Sequence, residues 1–175
     1  MDKKMESYIR TIPDFPEKGV MFRDITTLLM NPEGFRRAID ELCDAIKDLD
    51  FDVLVGSESR GFIFGTPIAY KLNKPFALIR KKGKLPAEKI SVEYDLEYGK
   101  AVMEMHKDAV KKGDKVVLVD DLLATGGTME AGASLVEKLG GEVVKMIFLI
   151  ELLGLRGREK LNKYDIYSII QYPGK

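Results

Sequence analysis

The chain has 175 residues, of which 45% are hydrophobic, which is enough to bury one substantial core. Its 28 basic and 28 acidic residues cancel, so the net charge indicates neither a nucleic-acid nor a membrane partner. One cysteine and one histidine exclude a disulfide framework and a zinc site made from these residue types. We therefore expect a single domain over residues 1–175, located in the cytoplasm.

Strand and helix patterns alternate along the chain. Asn31-Pro32 is a typical helix start, and apolar residues follow it at helical spacing as far as Leu49. Buried strands are predicted at 53–55, 76–80, 115–120 and 142–150, and further helices at 61–72 and 129–139. Continuous apolar strands that alternate with helices predict an α/β fold, with a mostly parallel twisted sheet and helices on both faces.

The segment 81–100, KKGKLPAEKISVEYDLEYGK, interrupts this alternation because it is charged, poor in aliphatic residues and long for a connection. One interpretation is a solvated hairpin with VEY and AVMEM as its strands. The other is a flexible lid that closes over a site.

The string VVLVDDLLATGGT, at 116–128, places two aspartates at the end of a predicted strand and a small-residue turn before a helix. Glycines let successive backbone N–H groups turn toward an anion, and threonine hydroxyls and the helix N-terminus add donors. The lysine of a triphosphate-binding loop is missing, which favours a monophosphate. Carboxylates suit the hydroxyls of a sugar or a hydrated Mg²⁺. The string therefore indicates a phosphorylated sugar, whereas the alternative is an ordinary strand end and tight turn.

This string resembles the phosphoribosyl-pyrophosphate signature of the type I phosphoribosyltransferases. The similarity extends over nearly the whole chain, and it is closest to the adenine-specific members of that family. It is carried by FPEKGVMFRDIT at 15–26, ESRGFIFG at 58–65, LIRKKGKLP at 78–86, YDLEYGK at 94–100 and ELLGLRGREKL at 151–161. The resemblance implies a small N-terminal hood over about 1–30 and a lid over about 81–100.

The resemblance also implies transfer of the phosphoribosyl group from phosphoribosyl pyrophosphate to N9 of adenine. The residues implied for the 5′-phosphate and ribose are Asp120, Asp121, Ala124, Thr125, Gly126, Gly127 and Thr128. Those implied for pyrophosphate are Glu58, Ser59, Arg60, Lys81 and Lys84. In this family the ESRG turn often contains a cis peptide, which we expect between Glu58 and Ser59. Without the resemblance, ESRG reads as a surface turn and the lysines as a solvated basic run.

The choice of base depends on two positions in the signature. Relatives that act on 6-oxopurines carry an acid at the position of Ala124 and a lysine at that of Gly127, and neither is present here. The resemblance then makes Glu97 the acid for N7 of the purine, and Asp120 and Asp121 stabilise charge on the ribose ring. The residues implied for adenine are Met21, Phe22, Arg23 and Leu152, although Phe22 equally suits a core position.

Mg²⁺ is implied as a cofactor carried by the substrate, without a dedicated protein site. The family also implies a homodimer. Two other functions stay open: transfer to a different purine base, and a sensor that binds phosphoribosyl pyrophosphate without turnover. A sensor of the regulatory kind needs a DNA-binding segment, and the sequence shows no basic recognition helix.

Overall fold

The computed structural model describes residues 4–95 and 99–174. Within them the strands are β1 Arg10–Pro13, β2 Met21–Asp24, β3 Val53–Ser57, β4 Phe76–Lys81, β5 Lys89–Asp95, β6 Lys100–His106, β7 Lys115–Leu123, β8 Glu142–Leu152 and β9 Ile166–Tyr172. The α-helices are α1 Thr26–Leu29, α2 Pro32–Asp44, α3 Arg60–Leu72, α4 Gly127–Lys138 and α5 Gly157–Lys160. None of the helices in these residues has the length and apolar character needed to cross a membrane.

Seven strands form the main sheet in the order β5-β6-β4-β3-β7-β8-β9. The five strands from β4 to β9 in that order run parallel, and β6 and β5 continue the sheet with antiparallel pairing. The prediction of a mostly parallel sheet is therefore confirmed. Parallel strands end at one edge of a sheet, so the segments after β3, β7 and β8 lie side by side.

Both faces of the sheet are covered by buried apolar side chains. On one face, Leu42 of α2 and Phe64 of α3 pack with alternate residues of β7, such as Val117. On the other face, Leu135 of α4 packs with the intervening residues, such as Leu118. This two-sided burial explains why the strands read as continuous apolar runs, and it confirms the prediction of helices on both faces.

The predicted start of α2 is confirmed, but its end is earlier than predicted. The Asn31 side chain accepts a hydrogen bond of 2.9 Å from the Gly34 N–H, and Pro32 is the first helical residue. The helix ends at Asp44, and three-residue turns follow, such as the 3.0 Å bond from the Leu49 N–H to the Ile46 carbonyl. Such turns keep Ile46 buried, which is why the apolar spacing continued past the helix.

Two strand predictions need correction. β7 does not end at the aspartates but continues to Leu123, because its pairing with β8 extends through Asp120 opposite Phe148 and Leu122 opposite Ile150. The sequence analysis assigned no strand after β8, whereas β9 pairs with β8 over Met146–Leu152 and forms one edge of the sheet. Most of β9 is only partly buried, which weakens its sequence pattern.

The two strands of the hairpin interpretation are present as β5 and β6; β6 extends beyond the segment 81–100 and also pairs with β4 in the main sheet. Ile90, Val92 and Tyr94 alternate inward from β5 and pack against the core. Glu97 lies outside the described residues. The lid stays a prediction.

β1 and β2 form a separate antiparallel pair whose end is fixed by Asp24. This buried carboxylate accepts hydrogen bonds from the Thr26 N–H at 2.9 Å, the Arg10 Nε at 2.9 Å and the Thr26 hydroxyl at 2.8 Å. The Thr26 backbone donor, followed by Arg10, lowers the pKa of Asp24 from 3.8 to about 2.

Replacing Asp24 by asparagine should lower the free energy of unfolding at pH 7 by about 1–2 kcal/mol. This value is smaller than the pKa shift alone would give, because Arg10 is more than half exposed and solvent screens its charge. The folded pKa lies below the unfolded one, so this contribution is complete above about pH 4 and is lost as the pH falls through 2. Urea unfolding of the wild type and of Asp24→Asn at pH 7 and pH 3 measures this contribution to the free energy of unfolding. The exposed Asp48→Asn serves as the control. Equal stability of wild type and Asp24→Asn at pH 7 would contradict the prediction.

Candidate active site

Three adjoining cavities lie at the carboxyl ends of β3, β7 and β8. The small cavity, of about 70 Å³, is lined by Asp120 and residues 122–129. The middle cavity, of about 310 Å³, is lined by residues 58–60, Lys81, Tyr94, Met103, residues 120–122, Ala124 and Thr128. The large cavity, of about 740 Å³, is lined by residues 17–23, Arg60, Asp95, Leu122, Thr125, Leu152, Leu155 and Lys160. Leu122 lines all three, so they form one continuous site.

The small cavity is a backbone cradle at the start of α4. Gly126 precedes the helix with a φ of 85°, a conformation that L side chains rarely adopt. A Cβ atom there would lie 2.9 Å from the Gly157 carbonyl oxygen. Glycine therefore fits at this position for two reasons. The N-terminal end of the 12-residue helix α4 lies at the small cavity, and the first N–H groups of a helix have no acceptor within the helix. The arrangement can bind an anion through backbone donors.

Two carboxylates separate the small and middle cavities. The Asp120 Oδ1 accepts a hydrogen bond of 2.9 Å from the Asp121 N–H, and the Asp121 Oδ2 lies 2.9 Å from the Arg60 Nε. Burial, followed by the neighbouring Asp121 charge, raises the pKa of Asp120 well above its ordinary value. Burial also raises the pKa of Asp121, and Arg60 opposes this rise. Such a pair accepts hydrogen bonds strongly and favours a partner that supplies positive charge or hydroxyl groups.

The turn after β3 carries a second group of charges. The peptide between Glu58 and Ser59 is cis, as expected. The almost fully buried Glu58 carboxylate lies 2.6 Å from the Arg80 Nε and 2.9 Å from the Lys84 Nζ. Burial alone would raise the pKa of Glu58, but the hydrogen bonds from Lys84, Arg80 and a backbone N–H lower it. The turn is thus held by an ionised carboxylate, with Arg60 facing the cavities.

The structure brings most of the predicted site residues together. The predicted residues of the signature line the small and middle cavities, with Glu58, Ser59, Arg60 and Lys81 along the middle one. Met21, Phe22, Arg23 and Leu152 all line the large cavity. Lys84 does not line a cavity described here and contacts Glu58 instead. The Glu58 carboxylate attracts the Lys84 ammonium group, and the basic run in the sequence does not reveal this contact.

The mixed lining of the large cavity includes apolar side chains, such as Phe22 and Leu152, that suit a planar ring. Phe22 is only partly buried and packs edge-on against Phe15, with ring centroids 5.1 Å apart, so it is not a residue of the sheet core. The Arg23 guanidinium lies over the Tyr172 ring, 3.8 Å from its centroid, and its Nη1 donates to the Thr11 hydroxyl at 2.5 Å. The strand β2 is therefore held against β9 beside the cavity.

Sequence reasoning missed several residues that line the site, among them Leu122, Leu155 and Lys160. The Tyr94 ring packs beside Gly127, and its hydroxyl lies 3.4 Å from the Thr128 hydroxyl. The period-two pattern of β5 was the available signal for Tyr94. Lys160 lies 3.1 Å from Glu130 of α4, a contact between distant segments that no local pattern predicts.

Comparisons with known proteins place this site in a class. The family model described as phosphoribosyl transferase domain matches residues 24–172, so the chain is a phosphoribosyltransferase. The adenine phosphoribosyltransferase of Agathobacter rectalis is 64% identical over 173 residues, which cover 99% of this chain and 99% of that protein. The chain belongs to the adenine phosphoribosyltransferase family.

Solved structures agree with this assignment. The crystal structure of adenine phosphoribosyltransferase from Thermoanaerobacter pseudethanolicus has a TM-score of 0.93 and 53% identity, covering 96% of this chain and 98% of that one. The Saccharomyces cerevisiae enzyme, complexed with D-2,5-dideoxy-2,5-imino-altritol 1,6-bisphosphate and adenine, has a TM-score of 0.88 and 37% identity. That similarity covers 94% of this chain and 96% of the yeast chain.

Proposed function

We propose that the protein transfers the 5-phosphoribosyl group of phosphoribosyl pyrophosphate to N9 of adenine, giving AMP and pyrophosphate. The observation that carries this proposal is the continuity of the site. An anion cradle, a pair of carboxylates, an arginine turn and a large apolar-sided cavity follow one another along a single sheet edge. The yeast relative is complexed with adenine and a bisphosphate, which supports a site for a base and a site for phosphate groups.

In the proposed reaction the cradle binds the 5′-phosphate through the N–H groups and hydroxyls of Thr125 to Thr128. The ribose hydroxyls donate to Asp120 and Asp121, and the same carboxylates stabilise positive charge as it builds on the ring. N9 bonds to the anomeric carbon while the bond to the pyrophosphate oxygen breaks, and the N9 proton passes to the released pyrophosphate. Arg60, Lys81 and the amides of the ESRG turn bind the departing pyrophosphate. Lys84 joins them by moving from Glu58.

The donor atoms also fit a hydrated Mg²⁺. Asp120 and Asp121 present hard carboxylate oxygens beside the middle cavity, which is large enough for a diphosphate group. The described residues hold no group of three or more metal-binding side chains, so we place the cation on substrate oxygens as well. When bound, it would neutralise charge on pyrophosphate.

The purine would lie in the large cavity between Phe22 and Leu152, with the β2 backbone at Met21 and Arg23 reading its edge. Glu97 would then bind N7 from the predicted lid. Replacing Glu97 by glutamine should lower kcat about 100-fold and leave the KM for phosphoribosyl pyrophosphate unchanged, because an amide cannot transfer a proton as a carboxyl group can. Steady-state kinetics measure both. Glu93→Gln, at an exposed glutamate of β5, is the control, and an unchanged kcat in Glu97→Gln would remove the lid acid from the mechanism.

The experiment that tests the function is a base panel. The purified protein, with Mg²⁺ and phosphoribosyl pyrophosphate, is offered adenine, hypoxanthine, guanine and xanthine separately, and nucleotide is followed by chromatography. AMP from adenine alone is the expected result. Product from a 6-oxopurine would keep the reaction but overturn the interpretation of Ala124 and Glu97. Saturable binding of the donor without product would favour a sensor.

We also propose a homodimer in the cytoplasm. Ile63 and Tyr70, seven residues apart on α3, share one exposed face, and Tyr70 is 90% exposed. Leu78 of the adjacent β4 is a further exposed apolar side chain. A dimer would cover this apolar surface. Light scattering should give a dimer for the wild type and a monomer for Tyr70→Glu; a monomeric wild type would contradict it. The cytoplasmic location is supported by Cys43, a single buried thiol.

A further inference from the structure

The short helix α5 lies directly behind the cradle, with no side chain between the two backbones. A Cβ atom on Gly157 would overlap the Ala124 carbonyl oxygen and would lie 2.8 Å from a methyl group of Leu123. From the opposite side, a Cβ atom on Gly126 would lie 2.9 Å from the Gly157 carbonyl oxygen. The position of the cradle backbone therefore depends on the position of α5.

The helix α5 is held in place by an ion pair between the buried Glu151 carboxylate and the partly exposed Arg158 side chain. The Arg158 Nε and Nη2 donate to the two oxygens of Glu151 at 3.0 and 2.5 Å, and the Arg158 Nη1 donates to the Ile166 carbonyl at 3.0 Å. The Ser168 hydroxyl donates to Glu151 at 2.6 Å. The Glu151 side chain is only 3% exposed. A helix of four residues has no stability of its own, so its contacts with other elements, these bonds to β8 and β9 among them, determine where it lies.

Burial alone would raise the pKa of Glu151, but the hydrogen bonds from Arg158 and Ser168 lower it. The carboxylate is therefore ionised at neutral pH, and the two-pronged contact with Arg158 has a fixed geometry. An ion pair that buries a carboxylate is weak evidence for stability, because desolvation offsets much of its attraction. The rigid geometry of the Glu151–Arg158 pair fixes the position of α5, and α5 in turn contacts the cradle backbone.

We propose that Gly157 and the Glu151–Arg158 pair are positioning residues that set the cradle amides for the 5′-phosphate. This inference rests on the proposed function. None of these three residues lines a described cavity, so they act through the backbone of residues 124–127. Displacing α5 should weaken binding of the 5′-phosphate and leave the pyrophosphate end of the site unchanged.

The first test compares Gly157→Ala with the wild type by calorimetric titration of ribose 5-phosphate and, separately, of magnesium pyrophosphate. We expect at least a tenfold weaker Kd for ribose 5-phosphate and a change within twofold for pyrophosphate. A general loss of structure would weaken both. Gly174→Ala is the matched control, because a Cβ atom there meets nothing within 4 Å. Equal affinity of Gly157→Ala and wild type for ribose 5-phosphate would overturn the inference.

The second test uses the ion pair and keeps the inference falsifiable if Gly157→Ala does not fold. Arg158→Met should raise the KM for phosphoribosyl pyrophosphate about tenfold and change the KM for adenine less than twofold, and Arg158→Lys should restore part of the difference. Arg156→Met, an exposed arginine two residues away, is the control. Equal rises in both KM values would indicate a purely structural role. If the wild type binds no ribose 5-phosphate and makes no AMP, the proposed function fails instead.

Discussion

Replacing both Asp120 and Asp121 by asparagine should lower kcat for AMP formation by about 1,000-fold or more. The two side chains lie where the anion cradle meets the arginine turn, and amides cannot supply the negative charge that opposes positive charge on the ribose ring. The KM for adenine should change little, because the large cavity is intact. Steady-state kinetics test both, with the exposed Asp165→Asn as the control. Near-normal turnover would remove these aspartates from the mechanism.

The same substitution should leave the thermal midpoint unchanged or raise it. Burial raises the pKa of Asp120, so ionisation of this carboxyl group costs more free energy in the folded state than in the unfolded chain. A group whose folded pKa is raised contributes fully to the free energy of unfolding below its unfolded pKa. This contribution is lost as the pH rises through the folded pKa. The ionised pair therefore costs stability at neutral pH. Differential scanning calorimetry should show no fall in the thermal midpoint of the variant whose kinetics show the severe loss of activity; a large fall in the midpoint would instead indicate a structural role.

Replacing Arg60 by methionine should lower kcat/KM for phosphoribosyl pyrophosphate by about 100- to 1,000-fold. Arg60 lines both the middle and the large cavities, and its Nε lies 2.9 Å from Asp121. Its guanidinium can bind two phosphate oxygens as the leaving group departs. Arg60→Lys should recover only part of the activity, because an ammonium group lacks the planar fork.

Inhibition by added magnesium pyrophosphate separates this role from a general effect. In Arg60→Met the inhibition constant for pyrophosphate should rise at least tenfold, whereas the KM for adenine should stay within about twofold. Arg36→Met, an exposed arginine on α2, is the control. Unchanged inhibition by pyrophosphate would assign Arg60 to holding Asp121 alone.

Much of the sheet and of the cradle was predictable because their signals are local. Asn31-Pro32 caps a helix through bonds within four residues, and the apolar runs of β3 and β7 follow from burial on both faces. The order of strand, aspartates, glycines and helix in 116–128 occurs within one uninterrupted segment. The resemblance to the family added Glu58, Arg60 and Leu152, which local patterns alone would leave as a turn and a strand end.

The errors concern the ends of elements and contacts between distant segments. β7 runs past its predicted end because β8 continues to pair with it, and pairing is a property of two strands. β9 has a mixed pattern because it is an edge strand with partial burial. Lys84 contacts Glu58 because β4 places the two side by side, although they are 26 residues apart.

The sequence by itself determined the α/β class, the helix caps, the glycine cradle and the chemical types present at the site. These depend on backbone preferences and on periodicity, which act over a few residues. The tertiary structure alone decided that α5 lies behind the cradle, that Glu151 holds Arg158 and that Tyr94 reaches Thr128. Such contacts depend on which strands become neighbours in the sheet, and that is fixed by packing over the whole chain.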